Sequence, residues 1–168
     1  MMTVERILQE MTLIEAFHLA RLVDDFVELV TDSRDIADPA VDRLTPTPYP
    51  EDSDAAAEFS VATRDDLLDR RLADARIVRS ALGTLPPDSD ALTEDTALTT
   101  REVFVSIESV DAWLRTLTAI RLVIATRLGI TSDEDRGGDD RHGIYDWLGY
   151  RLDLLIHAAD EAEGLPID

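Results

Sequence analysis

Residues 113–130 read WLRTLTAIRLVIATRLGI, and on a helical wheel their apolar side chains face nearly every direction. A helix that is apolar on all sides must be surrounded by other elements, so this segment predicts the central helix of a bundle. We expect this helix to run over residues 109–128 and to end at Gly129, a residue type that favours the left-handed conformation at a helix terminus. Its deepest seam is expected to hold Trp113, Leu117, Ile120 and Ile124.

A first helix is expected over residues 12–31, where apolar residues recur at steps of three and four. Thr12 and Glu15 have the Thr-x-x-Glu spacing of a capping box, in which the hydroxyl satisfies a free backbone amide and the carboxylate reaches back to the amide of Thr12. Residues 4–11 could either extend this helix or form a short strand before it.

Two more helical regions follow. The segment AAAEF favours a short helix, and Thr63 with Asp66 offers a second capping signature ahead of an apolar stripe that ends at Gly83. Residues 144–162 carry the stripe of a last helix, which is the expected packing partner of the central helix. Its inward side chains are expected to be Ile144, Trp147, Leu148, Arg151, Leu152, Leu155, Ala158, Ala159 and Ala162.

The predicted fold class is mainly α, a four- to five-helix bundle in one domain, residues 1–168. The β-branched, alternating segment 102–107 suggests a small two-stranded ribbon with residues 4–10. Residues 38–52 contain four prolines, which lack the amide hydrogen that regular structure needs, so we expect a proline-rich connecting arm there. The segment between 84 and 100 is expected to be loop.

The composition excludes several classes of function. The 168 residues include no cysteine, which rules out disulfides and thiol nucleophiles and favours the cytoplasm. Acidic residues number 36 against 16 basic ones, for a net charge of −20. That charge repels phosphate backbones, so we expect no nucleic-acid partner and disfavour a transcriptional regulator. Charged residues interrupt every apolar run, so no membrane association is expected.

The motifs do not assemble into a recognisable catalytic, metal or cofactor site. The acidic loop 131–143 lacks the closing carboxylate of a calcium-binding loop. Glu15 and His18 have the Glu-x-x-His spacing of di-iron proteins, but such a centre needs a second copy and further carboxylates. Asp153 and His157, one helical turn apart, are interpreted as a surface pair because no activated nucleophile accompanies them. We therefore predict no catalytic residue, no metal and no cofactor.

Of the arginines in the central helix, Arg121 and Arg127 are the candidates for a binding role, because both interrupt an otherwise apolar stretch. Arg121 and Arg127 would be costly to bury without a partner, so each must find a carboxylate or an anionic ligand. Internal pairing is the expected outcome, and the candidate partners are Asp146, Asp153 and Asp160. The alternative is an enzyme that binds a small anion in a pocket formed by Arg121, Arg127 and Asp153.

Several segments, in their order and spacing, resemble the actinobacterial domain-of-unknown-function family DUF2017, over almost the whole chain. They are DPAVDRLTPTPYPED with the following AAAEF, Trp113-Leu114, Leu117, Arg121-Leu122, Thr126-Arg127-Leu128-Gly129 and Tyr145-Asp146-Trp147-Leu148-Gly149. The resemblance implies no established activity. It implies a frequent gene neighbour, the ClpS adaptor for regulated proteolysis, and through it a role in contact with other proteins.

The sequence therefore predicts a non-catalytic cytoplasmic interaction or regulatory protein whose partner is another protein. Aromatic side chains are the expected anchors for that partner, because they bury a large area and keep a polar tip. The candidate contacts are Tyr49, Tyr145, Trp147 and Tyr150. A homodimer is a further option, since a bundle with so many apolar positions can pair symmetrically.

Overall fold

The computed structural model describes residues 5–32, 37–45, 53–130 and 140–164, and it is mainly helical with a small antiparallel ribbon, as predicted. The strands are β1 (Arg6–Thr12) and β2 (Thr100–Ser106). The helices are α1 (Leu13–Asp32), α2 (Pro39–Leu44), α3 (Ser53–Leu82), α4 (Glu94–Ala97), α5 (Val110–Leu128) and α6 (Asp140–Gly164). Short 3-10 turns occupy Ser89–Ala91 and Ile107–Ser109. In these ranges, no helix combines the length and the apolar character that a membrane span requires.

The central helix is α5, and it is buried as the sequence predicted. Trp113, Leu117 and Ile120 are buried, whereas Ile124 is partly covered and packs against the same core. Helices α1, α2, α3 and α6 all contact α5. Gly129 ends α5 with a φ of 71°, a conformation that a side chain would disfavour, so the glycine terminator is confirmed.

Helix α1 begins directly after β1, and Thr12 caps it. The backbone amide of Glu15 donates to the Thr12 hydroxyl oxygen at 3.3 Å, which confirms half of the predicted capping box. The other half is wrong, because the Glu15 carboxylate accepts a hydrogen bond from Arg151 of α6. Residues 6–12 form a strand, which resolves the choice left open for this segment.

The ribbon pairs β1 with β2 in antiparallel register, from Arg6 opposite Ser106 to Thr12 opposite Thr100. Backbone bonds from Leu13 to Thr99 and from Ile107 to Glu5 continue the ladder at both ends. These bonds make the odd positions of β1 the hydrogen-bonded pairs. The even positions, on the exposed face, are therefore non-hydrogen-bonded pairs, in which facing side chains lie closer together. Two of these pairs are Leu8 with Phe104 and Glu10 with Glu102.

Four predicted segments differ from the structure. Residues 39–44 of the expected proline arm form α2, because the Asp38 carboxylate caps the Ala40 amide at 2.9 Å and Pro39 favours the first helical turn. The two helices expected around the AAAEF segment are one continuous helix, α3. The segment expected to be loop contains α4, which is capped by Thr93. The last helix matches in type but extends further at both ends, and its Ile144 is 41% exposed instead of inward.

The cross-strand pair of Glu10 and Glu102 yields a test of the ribbon. Like charges directly opposite each other destabilise a sheet, so Glu102→Lys should stabilise the protein by roughly 0.2–1 kcal/mol. Urea denaturation of Glu10→Lys, Glu102→Lys and the double variant forms a double-mutant cycle. The double variant restores a like-charge pair, so its free energy of unfolding should be lower than the sum of the two single effects predicts. Strict additivity would show that these side chains do not interact.

Candidate functional site

A cleft of about 420 Å³ opens between α1 and α6. Its lining residues are Glu15, His18, Arg21 and Leu22 of α1 and Gly143, Ile144 and Trp147 of α6. Trp147 is half-buried: it packs against the core and leaves part of its indole open to the cleft. The cleft therefore combines an aromatic and aliphatic surface with a charged rim, a composition typical of binding sites in proteins.

The buried arginine beside the cleft is Arg151, which is only 7% exposed. Its Nη1 donates to the backbone carbonyl of Glu10 in β1 at 2.9 Å, and its Nη2 donates to the carboxylate of Glu15 in α1. Its guanidinium carbon lies 5.7 Å from the centre of the Trp147 ring. Arg151 thus joins α6 to β1 and to α1 by hydrogen bonds, and its guanidinium lies beside the Trp147 ring.

An apolar line continues from Trp147 along the solvent side of α6. Tyr150 is 58% exposed and Leu154 is 37% exposed, and with Trp147 they follow the three- and four-residue steps of one helical face. We call these three residues the α6 face. The exposed acids Asp146, Asp153 and Asp160 follow steps of seven along one side of it, Glu161 continues its line, and the last turn of α6 has no basic residue. The α6 face is therefore an apolar line with a row of acids along one side.

Arg121 packs α5 closely against α6. Its Nε donates to the backbone carbonyl of Tyr145 at 3.2 Å, and its guanidinium carbon lies 3.8 Å from the centre of the Tyr145 ring. At Gly149 a Cβ atom would lie 2.9 Å from the Arg121 Nη2, so the absence of a side chain there allows the two helices to approach. Tyr145 therefore contacts Arg121 between these two helices and is partly buried there, and its role as a partner contact stays a prediction.

Arg127 pairs with Asp38, at the start of α2. Its Nη1 and Nη2 donate to the two carboxylate oxygens at 2.8 and 2.6 Å, which is the two-pronged geometry that makes such pairs specific. The hydrogen bonds from Arg127 hold the pKa of Asp38 below its usual value, and Asp38 raises the pKa of Arg127. Internal pairing is thus present, but the predicted partners Asp146, Asp153 and Asp160 are wrong for Arg127.

The three residues of the alternative anion site do not join. Asp153 is exposed on α6, and its backbone carbonyl, not its carboxylate, contacts His157 Nδ1 at 2.7 Å. Among the described residues, no hydrogen bond or ion pair links Arg121, Arg127 and Asp153 to one another. In the same part of the chain, no three metal-ligating side chains of histidine, cysteine, aspartate or glutamate are grouped to hold an ion. Tyr49 and most of the acidic loop lie outside the described residues.

The sequence analysis placed Arg151 on an inward stripe but did not single it out as a functional residue. The signal was present, because Arg151 interrupts an apolar helix face in the same way as Arg121 and Arg127. Its partners could not be read from the chain, since Glu10 and Glu15 lie more than a hundred positions away.

The family model described as "Domain of unknown function (DUF2017)" matches residues 3–159. The chain belongs to the DUF2017 family. This match covers β1 through most of α6, so it includes both helices of the cleft, and it confirms the family resemblance. No curated protein and no solved structure matches this DUF2017 chain.

The pairing of Arg127 with Asp38 predicts a pH dependence. Because the pKa of Asp38 is lowered on folding, the pair stabilises the protein above about pH 4 and this contribution is lost as the pH falls through the lowered value. Asp38→Asn keeps a good helix cap but removes the charge. The variant should therefore lower the free energy of unfolding by about 0.5–1.5 kcal/mol at pH 7 and leave it unchanged in strong acid. Denaturant titrations at several pH values measure this, with exposed Asp66→Asn as the control. A loss that is constant with pH would contradict the assignment.

Arg151 yields a prediction for the cleft. Arg151→Met leaves the Glu10 carbonyl and the Glu15 carboxylate without their donor. The free energy of unfolding, measured in urea, should therefore fall by about 2–4 kcal/mol. Arg151→Lys should recover only part of this loss, because one ammonium cannot reproduce the two-armed bridge. The matched control is Arg76→Met on the exposed side of α3, which should change the stability by less than about 0.5 kcal/mol. Equal effects at both positions would show that Arg151 does not join the elements.

Proposed function

We propose that this protein is a non-catalytic interaction module of the cytoplasm, and that a partner protein docks on the α6 face and in the adjacent cleft between α1 and α6. The observation that carries this proposal is the apolar line of Trp147, Tyr150 and Leu154 on the solvent side of a helix. The opposite side of α6 already supplies Leu148 and Leu155 to the core. Trp147 packs against the core on one side, whereas Tyr150 and Leu154 are exposed, and contiguous exposed apolar residues rimmed by charge are typical of docking surfaces.

The spacing of the α6 face suits a helical or extended partner segment. Positions 147, 150 and 154 lie on one side of the helix, so they form a ridge against which another ridge of side chains can pack. Tyrosine and tryptophan are enriched in such interfaces because they bury a large area with few rotatable bonds. Trp147 is the expected anchor, because it packs against the core and beside the Arg151 guanidinium while part of its ring stays exposed.

The charges beside the α6 face indicate the chemistry of the partner. The acids along one side of the apolar line, together with a net charge of −20, favour a segment whose apolar residues are flanked by arginine or lysine. Two copies of this chain would bring the same acids together, so we do not propose a homodimer through this face. Because a basic partner would be attracted by these acids, its association rate should fall as the salt concentration rises.

Regulated proteolysis is the first setting in which to seek the partner, because the family resemblance implies a ClpS adaptor as a frequent gene neighbour. The alternative of an anion-binding enzyme around Arg121, Arg127 and Asp153 receives less support. Arg127 is engaged by Asp38, and the Asp153 carboxylate lies on the outside of α6. These contacts favour structural roles for the charges that motivated the enzyme.

Site-specific photocrosslinking tests the proposed function. A benzophenone amino acid placed at position 150 should cross-link to a protein in cells that contain the native partner, and mass spectrometry should map the cross-link to a basic, amphipathic segment. The control is the same probe at position 77, because Ile77 is 44% exposed on a different helix. Equal labelling from both positions, or cross-links only to acidic segments, would contradict the proposal.

A binding measurement with the identified segment then tests the α6 face directly. Leu154→Asp places a charge in the apolar line and should weaken binding by roughly tenfold or more, while the fold is retained because the side chain is already partly exposed. Ile77→Asp introduces the same charge elsewhere and should leave the affinity unchanged within a factor of about two. Circular dichroism checks that both variants are folded. Equal affinities for the two variants would remove the α6 face from the interface.

A further inference from the structure

A second cleft, of about 690 Å³, lies between α3 and α5. Its charged lining residues are Arg70, Arg71 and Asp74 from α3 and Arg115 from α5. Three guanidinium groups therefore face one carboxylate, in a chain whose net charge is −20. This local excess of positive charge is opposite in sign to the protein as a whole, so solubility does not explain it.

The one acid of this lining is already engaged. Arg115 donates to both oxygens of Asp74, with Nε at 2.8 Å and Nη2 at 3.3 Å. The Asp74 side chain is mostly covered, which strengthens this two-pronged pair. Both carboxylate oxygens therefore bond Arg115, and Asp74 acts on Arg71 through its charge without a hydrogen bond among the described residues.

Arg71 is the guanidinium group that this arrangement leaves without an acid. It is partly buried, and its Nη2 donates to the backbone carbonyl of Leu44, at the end of α2, over 3.3 Å. No ion pair joins it to a carboxylate in the described ranges of the chain. Burial lowers the pKa of Arg71, the charge of Asp74 offsets part of this effect, and the charge of Arg115 lowers the pKa further.

The rest of the lining is largely apolar. Leu67 and Ala73 of α3 and Leu114 of α5 border the same cleft, so a molecule held by the arginines would have its remaining atoms against hydrocarbon. Its volume is in the range of small-ligand pockets. A ligand that fits both the arginines and the apolar lining of the cleft must carry an anionic group at one end and an apolar body behind it.

We propose that the cleft between α3 and α5 binds a carboxylate attached to an apolar body, with Arg71 as the principal contact and Arg70 as a second cation at the mouth. A carboxylate presents two coplanar oxygens, which match the planar fork of a guanidinium. The single negative charge of such a ligand would also reduce the excess positive charge of the cleft without reversing its sign. The source of this carboxylate is either a free organic acid or the C-terminus of a peptide.

This site is independent of the proposed docking surface. The α6 face and its cleft lie on α1 and α6, whereas the carboxylate site lies on α3 and α5. The two surfaces also have opposite local charge. Failure of one proposal therefore leaves the other standing, and variants at Arg71 and at Leu154 distinguish them.

Chemical-shift perturbation of the ¹⁵N-labelled protein tests the carboxylate site, because it detects weak binding. Hexanoate is the first probe, and it should shift the amides around Leu67, Leu114 and Thr118. Hexanamide has the same apolar body without the charge, so it should bind roughly tenfold or more weakly. A short peptide ending in leucine, with a free or an amidated C-terminus, distinguishes the peptide source from the free acid.

Two variants complete the experiment. Arg71→Met should weaken hexanoate binding by roughly tenfold or more, and Arg71→Lys should retain part of it because the charge remains. Arg76→Met, on the exposed side of α3 and outside the cleft lining, should leave binding unchanged. Thermal unfolding checks that each variant is folded. If Arg71→Met does not fold, Arg70→Met provides the second test. Equal shifts by hexanoate and hexanamide, or undiminished binding by the folded Arg71 or Arg70 variant, would overturn the proposal.

Discussion

The arrangement of this bundle depends on the buried guanidinium of Arg151. Burying a charged group costs free energy unless its hydrogen bonds and its charge are compensated, and here a backbone carbonyl of β1 and a carboxylate of α1 provide partners for Nη1 and Nη2, while Nε has none among the described residues. The same interaction fixes how α6 sits against the ribbon and against α1. The cleft between α1 and α6 follows from this geometry, since Trp147 is held at its edge by the side chain that joins the elements.

Local chemistry explains why much of the fold could be predicted from the sequence. A helix end requires only a few neighbouring residues, so Thr12 and Gly129 could be recognised without knowledge of the tertiary structure. The ribbon was also recognisable, because β-branched residues alternate in the segment that became β2. The central position of α5 followed from its composition, since only a surrounded helix can afford apolar residues on every side.

The candidate sites were harder to predict because their contacts join distant parts of the chain. The sequence showed that Arg127 needs an acid but not that Asp38, 89 positions away, supplies it. Thr63 resembled a helix cap, yet α3 continues through it, because a capping pattern is only a weak preference beside the packing of a long helix. Arg71 and Arg115 lie on separate helices, and their shared cleft arises only when α3 packs against α5.

The distribution of arginine charge links these observations. The chain has no lysine, so each of its cations is a planar fork whose geometry suits two oxygens at once. Arg115, Arg127 and Arg151 each have a carboxylate within the protein, and in each case the pair joins two separate elements. Arg71 lies at a comparable junction, but within the described residues it bonds a neutral carbonyl and forms no ion pair. The carboxylate ligand that we propose would give Arg71 the type of partner that Asp74, Asp38 and Glu15 give the other three arginines.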